Sequence, residues 1–214
     1  MFIIDFDDTL FDTRVGYEKE RVKALNQFGV STEQYRATYL QARAKGERIV
    51  YNHKLHARAL GKLGLDEKKV YGVFKKFESK IFLQRFLFRE SIIFLKQLRK
   101  FNERIVLLST GDKKFQTAKF KALRLEKYFD DIKIVTVTDG KRKALKKLNK
   151  IAGKEKIWFV NDKVGETLGV RERFPKIICL LKQAAIYPEA DYAASGLPYF
   201  KNLLDIYEYF RKNK

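Results

Sequence analysis

Met1-Phe-Ile-Ile-Asp-Phe-Asp-Asp-Thr-Leu-Phe-Asp-Thr13 decides how the rest of the chain is read. Phe2, Ile3 and Ile4 form an apolar run with no turn residue, the pattern of a buried strand. The run stops at Asp5, and Asp7, Asp8 and Asp12 follow. Carboxylates this dense at the end of a buried strand repel one another and lose hydration. A hard cation that prefers oxygen ligands removes most of that cost, and Mg2+ suits, being commonly held by one or two carboxylates plus phosphate. In extended backbone, residues two apart share a face, which lets Asp5 and Asp7 converge with Phe6 turned away. The same residue types also serve as turn and helix-cap residues, so the reading depends on the remaining sequence.

The 214 residues are enough for one large domain, or a domain carrying a smaller insert. A hydrophobic content of 45% is ordinary for a globular chain. No apolar run approaches the roughly 20 residues that span a bilayer, so no membrane partner is expected. The single cysteine, Cys179, excludes an internal disulfide, sits in the apolar run Ile177-Ile-Cys-Leu-Leu181, and points to a reducing cytoplasm. The 46 basic and 26 acidic residues leave a net charge of +20, a field that attracts phosphorylated ligands, nucleic acid or anionic surfaces. The lysines are spread over most helices, and no zinc-finger spacing, RNA-binding aromatic signature or P-loop appears. Nucleic acid is therefore a disfavoured partner, and nothing in the sequence fixes an oligomeric state.

Residues 14–89 read as helical throughout. Val22, Leu25 and Phe28 keep helical spacing up to Gly29. Ser31 and Gln34 form a capping box that opens a second helix, expected to end at Gly46. A third helix is expected over Asn52 to Lys62, and Asp66 caps a fourth carrying Val70, Val73, Phe74 and Phe77. This insert holds 18 basic and 7 acidic residues, and no strand is expected in it. From Ser91 onward the character changes. Helices are expected over Ser91–Phe101, Lys113–Tyr128, Lys141–Ala152, up to Phe174, and over Pro198–Arg211. Strands are expected over Arg104–Gly111, Ile132–Val137, Ile157–Val160 and Ile177–Leu181, with Asp191–Ala194 as a short edge strand. Such alternation implies a parallel sheet with helices on both faces. Ligands of such sheets bind beyond the carboxyl ends of the strands. The polar residues Asp5, Asp7, Ser109, Lys141, Asp162 and Glu166 sit there.

This ordered set resembles the haloacid dehalogenase superfamily, whose members are mostly Mg2+-dependent phosphatases. The resemblance covers essentially the whole chain. DFDDTL matches the family's DxDxT. VLLSTGD matches an apolar strand followed by Ser or Thr. Lys141 in TDGKRKAL matches the lysine that opens a helix. WFVNDKVGET departs from the commoner GDxxxD, with Asn161 for the glycine and Glu166 for the last aspartate. The resemblance implies a Rossmann-like α/β core over 1–13 and 90–214, with 14–89 inserted as an all-helical cap. It also implies roles. Asp5 is the nucleophile that forms an aspartyl-phosphate. Asp7 protonates the leaving oxygen and then activates water. Ser109 and the Thr110 and Gly111 amides bind phosphoryl oxygens. Lys141 stabilises developing charge, with Lys143 as its rival. Mg2+ is held by Asp5, the Asp7 carbonyl and Asp162, with Glu166 acting through water. A small phosphorylated metabolite, a nucleotide or sugar phosphate, is the expected substrate.

Several readings compete. A dehalogenase shares the nucleophile, but a halide leaving group needs no proton, so Asp7 argues for phosphoryl chemistry. A phosphomutase needs the same groups and a cap that excludes water. A basic nucleic-acid-binding protein or polynucleotide-end phosphatase would use the +20 charge. A receiver-like domain lacks its separate nucleophile here. His53 and His56, three apart, either face the cleft or are surface or satisfied core histidines.

Overall fold

The computed structural model describes residues 1–137 and 140–214. Asp139, placed by the sequence in the turn before Lys141, lies outside them, as does Thr138. The chain begins with β1 (Phe2–Ile4) and a single π-helical turn (Thr13–Glu18). The insert follows as α1 (Lys19–Asn26), α2 (Thr32–Arg43), β2 (Ala44–Lys45), β3 (Arg48–Ile49), α3 (His53–Gly61), α4 (Glu67–Lys76) and α5 (Lys80–Gln84). Then come α6 (Ser91–Arg99), β4 (Ile105–Thr110), α7 (Lys113–Leu123), β5 (Asp131–Val135) and α8 (Gly140–Ala152). The chain ends with β6 (Ile157–Asn161), α9 (Val164–Arg173), β7 (Ile177–Lys182), α10 (Glu189–Ala194), β8 (Tyr199–Phe200) and α11 (Leu203–Asn213).

Six strands form one parallel sheet in the order β5-β4-β1-β6-β7-β8. The fold is the expected Rossmann-like α/β class. β1 lies inside the sheet, with Ile4 level with Leu107 on one side and Val160 on the other. Its residues are buried on both faces, which is why the run is continuously apolar. Alternate residues feed two separate cores. Phe2, Ile4, Ile105, Leu107, Trp158 and Val160 pack with Phe94, Phe120 and Phe210 of α6, α7 and α11. Met1, Ile3, Val106, Leu108, Ile157 and Phe159 pack with Leu145, Leu148, Val170 and Tyr192 of α8, α9 and α10.

The insert joins the core through two paired segments: the Asp12 amide donates to the Phe86 carbonyl at 2.7 Å, and Phe88 to Leu10 at 3.1 Å. Its own core is Leu25, Val30, Tyr35, Leu60, Val70 and Phe74. The capping box at Ser31 and Gln34 and the Asn52 and Asp66 caps form. The insert is not all-helical. Gly46 (φ +59°) turns the antiparallel hairpin of β2 and β3 rather than simply ending a helix. That hairpin reaches the loop after β5, where the Ile49 amide donates to the Thr136 carbonyl at 2.7 Å.

Two other expectations are corrected. Residues 191–194 belong to helix α10, because Glu189, Ala190, Ala193 and Ala194 favour a helix opened by Pro188. The edge strand is β8, so the last helix starts at Leu203, capped by Asn202. The helix from Lys113 stops at Leu123, where Arg124 turns left-handed at φ 54°. No helix among the described residues is long and apolar enough to cross a membrane.

Candidate active site

β4, β1 and β6 are neighbours in the sheet, and the chain runs from β1 to opposite sides of it. The crevice at their carboxyl ends is therefore where a ligand belongs. Asp5 is the first residue past β1, and its amide still donates to the Val160 carbonyl at 2.9 Å. Asp162 is the first residue past β6. Neither side chain is open to solvent: Asp5 is 4% exposed and Asp162 0%.

Past Asp5 the backbone leaves the extended form. The Leu10 and Phe11 amides both fold back on the Phe6 carbonyl, and Asp8 is left-handed at φ 58°. Phe6 packs on Phe11 and edge-on to Phe120, closing the turn from below. The turn hands Asp5 and Asp7 to different helices. Asp5 Oδ1 meets Lys141 Nζ of α8 at 3.0 Å. Asp7 is gripped by α7 and its own loop: Lys119 Nζ at 2.9 Å, Gln116 Nε2 at 2.6 Å and Thr13 Oγ1 at 2.6 Å all donate to it. Asp8 and Asp12 serve the loop. Asp8 accepts the Thr13 and Arg14 amides, and Asp12 accepts the Gly16 amide at the π-turn.

The electrostatics follow from these contacts. Burial pushes the Asp7 carboxyl up, but Lys119 and the three hydrogen bonds outweigh it and hold it at about 2. Burial raises Asp8 to about 6 against the Arg14 and Thr13 amides. Burial opposes the charge on Lys141, yet Asp5 and Glu166 more than restore it, so the ammonium is favoured. Asp162 is the unresolved charge. Burial first, and the Asp5 carboxylate second, raise it to about 8, and neither carboxyl oxygen has a hydrogen-bond partner among the described residues.

That orphaned carboxylate beside Asp5 fits a cation. The donor set is oxygen from two carboxylates, the kind a hard ion such as Mg2+ accepts alongside water and phosphate. Among the described residues no cluster of three His, Cys, Asp or Glu side chains gathers for a metal, since Asp7 is drawn away to Lys119.

The remaining sequence-identified residues divide. Lys141 is 3% exposed and reaches Asp5, whereas Lys143 is exposed on the outer face of α8. Glu166 does not stand free: its Oε2 accepts from Lys141 Nζ and from Asn161 Nδ2, each at 3.2 Å. Asn161 also bonds Thr167 at 3.1 Å and receives Lys141 at 3.4 Å. The two departures from GDxxxD thus work together as a seat for the lysine. Ser109 is fully buried, with Oγ 3.4 Å from Gln116 Nε2. The Gly111 amide donates to the Val135 carbonyl at 2.9 Å, so it is not the free phosphate donor expected. Gly111 instead makes room, since a Cβ there would stand 2.9 Å from Gln116 Cγ.

A cleft of about 310 Å³ opens from Asp7, Thr110 and Gly111 toward the insert, where Tyr17, Arg21, Tyr39, Arg43 and Tyr51 line it. His53 and His56 are not on it. They are 1% and 0% exposed and belong to the insert's interior, beside Phe74. Sequence reading missed Gln116, Lys119 and Arg21. Each carried a signal: Gln116 and Lys119 share the helical face of Phe120 and Leu123, and Arg21 lies four residues from both Tyr17 and Leu25. A polar side chain in an apolar stripe is the mark of a buried site.

The parallel sheet thus carries an aspartate past its inner strand with a buried lysine against it, and the insert lines the cleft beside Asp7. The chain belongs to the haloacid dehalogenase-like hydrolases, whose family model matches residues 1–171. Solved structures share the fold. A haloacid dehalogenase-like hydrolase from Burkholderia xenovorans LB400 is 17% identical with a TM-score of 0.71, over 97% of this chain and 94% of that one. A predicted phosphatase from Clostridium acetobutylicum is 13% identical with a TM-score of 0.60, over 99% and 97%. The L-2-haloacid dehalogenase from Xanthobacter autotrophicus is 16% identical with a TM-score of 0.61, over 98% and 97%. No curated protein matches the sequence.

Proposed function

We propose that the protein is a Mg2+-dependent phosphomonoesterase acting through an aspartyl-phosphate on Asp5. The observation that carries this reading is Asp162, a wholly buried carboxylate with no partner among the described residues, set beside the nucleophile. A dehalogenase would need neither a cation there nor Asp7, because a halide leaves without a proton.

Asp5 and Asp162, with the Asp7 backbone carbonyl, would hold Mg2+; Glu166 is assigned to Lys141 instead. When bound, Mg2+ screens the repulsion between the Asp5 carboxylate and the phosphoryl oxygens. Asp5 attacks phosphorus, the bond to the leaving oxygen breaks, and Asp7 supplies that oxygen's proton. Asp7 then takes a proton from the water that attacks the aspartyl-phosphate, which releases phosphate and restores Asp5. Lys119 holds Asp7 ionised, which suits the second step. For the first, Asp7 must leave Lys119, take up a proton from solvent and turn to the leaving oxygen; in later cycles the proton it takes from the attacking water serves instead. Lys141 steadies charge on Asp5 and on the phosphoryl group, and Ser109 and Thr110 border the same strand end. Residues 14–89 act as a cap on the two paired segments at Leu10–Asp12 and Phe86–Phe88. The reaction takes place on a small phosphorylated metabolite in the cytoplasm, where the buried thiol of Cys179 stays reduced.

The test is a panel of phosphomonoesters with Mg2+, with and without chelator. Turnover that chelator abolishes and Mg2+ restores is expected. Full turnover without divalent metal would sink the reading.

A further inference from the structure

Arg21 is 3% exposed, yet it lines the cleft that leads from Asp7. A buried cation is costly unless an anion compensates it. Two other cations of the cleft are paired: Lys119 with Asp7, and Arg14, whose Nε lies 3.2 Å from Asp8, while Arg43 and Lys163 are only half-buried. Arg21 has no paired anion among the described residues. Its Nη1 donates to the Tyr51 hydroxyl at 2.8 Å and to His53 Nε2 at 3.3 Å, and its Nε is buried with no partner among the described residues. An arginine only donates, so His53 Nε2 accepts and its Nδ1–H is the donor to Glu78 Oε1 at 2.9 Å. The nearest carboxylate along this chain of contacts is therefore held one neutral imidazole away.

The site is built to aim the guanidinium. Its carbon lies 4.6 Å from the centre of the Tyr17 ring, and the Tyr35 and Tyr51 rings stand at 5.9 and 5.7 Å. Lys119 faces the same Tyr17 ring at 5.6 Å, so one aromatic ring separates the Asp7 end of the cleft from the Arg21 end. Arg43, half-buried, adds a second cation at the insert side.

We infer that the substrate carries a second anionic group, a carboxylate or a second phosphoryl, which pairs with Arg21 while its phosphomonoester lies at Asp5. The inference rests on the phosphomonoesterase reading, and it narrows the substrate to short molecules charged at both ends. Planar, bidentate recognition of such groups is what arginine does better than lysine.

The experiment measures binding in the Asp5→Asn protein, where turnover is stopped and Arg21 is intact. Calorimetry compares 3-phosphoglycerate with glycerol 3-phosphate, which differ only in the carboxylate, and propane-1,3-diol bisphosphate with its monophosphate. The doubly anionic member of at least one pair should bind about 10–150-fold more tightly, the worth of hydrogen bonds to a charged group. The pair that shows the effect identifies the second anion as carboxylate or phosphoryl. Arg21→Gln should erase the preference and leave the singly anionic ligand nearly unchanged, and Arg21→Lys should recover part of it. If circular dichroism shows that Arg21→Gln does not fold, Arg43→Gln at the half-buried rim should still reduce the preference. No preference in either pair, or a preference that these substitutions leave intact, overturns the inference. Turnover of p-nitrophenyl phosphate by the unaltered protein reports separately on the phosphatase reading, since that ester has no second anion. Turnover without preference removes only the Arg21 inference. Preference without any turnover removes only the phosphatase reading.

Discussion

Lys141 Nζ stands 3.0 Å from Asp5 Oδ1, an ion pair between the start of α8 and the end of β1 in which both side chains are almost wholly buried. Removing one partner of such a pair leaves the other charge uncompensated, at a cost of about 3–5 kcal/mol. Lys141→Ala should therefore lower the unfolding free energy by about that much and cripple turnover. Lys143→Ala, on the exposed face, should stay within about 0.5 kcal/mol. Urea unfolding and steady-state kinetics of the two variants check the ranking, and the reverse order would move the role to Lys143.

His53 and His56 tie the insert's stability to pH. Burial lowers both imidazoles, to about 4 and about 3, from an ordinary value of 6.5. Arg21 adds to the lowering in each, Lys119 adds to it at His53, and Glu78 opposes it at His53. Between about pH 4 and 6.5 the unfolded chain binds more protons than the folded one, so stability rises with pH there. The contribution is fully present above pH 6.5 and is lost as pH falls through the folded values. The unfolding temperature should drop further between pH 7 and 5 in the unaltered protein than in a His53→Gln, His56→Gln double variant. Parallel losses would show that the imidazoles do not stay neutral in the folded state.

The strands around Asp5 were legible because burial on both faces writes an unbroken apolar run, and the ends of those runs name Ser109 and Asp162. Lys141 could be chosen over Lys143 because a helix start points only its first turn at the strand end. The hairpin of β2 and β3 left no such trace. Each strand has two residues, both of the first exposed, and Gly46 reads equally as a helix stop. The hold on Asp7 was hidden for another reason. Gln116 and Lys119 are more than a hundred residues away in sequence, and only the crossing of α7 over the Phe6 turn brings them in.

Asp162 should respond to Mg2+ without any reaction taking place. Under chelation, Asp162→Asn relieves a buried charge next to Asp5 and should unfold at or above the temperature of the unaltered protein. Added Mg2+ should stabilise the unaltered protein progressively, by about 2.7 kcal/mol at a hundred times its dissociation constant. The variant should gain much less, so the order reverses as Mg2+ rises. Equal gains in both proteins, followed by differential scanning fluorimetry, would place the ion elsewhere.

Mass spectrometry of Asp7→Asn protein, quenched after mixing with p-nitrophenyl phosphate and Mg2+, tests the central claim most directly. Nitrophenolate is a stable anion and leaves with little help from an acid, so the first step survives the substitution. The second step loses its base and slows by on the order of 10²–10⁴-fold. One phosphoryl group should therefore accumulate on the peptide that contains Asp5, and chelator should prevent it. Release of nitrophenolate over many turnovers with Asp5 unmodified would contradict the account.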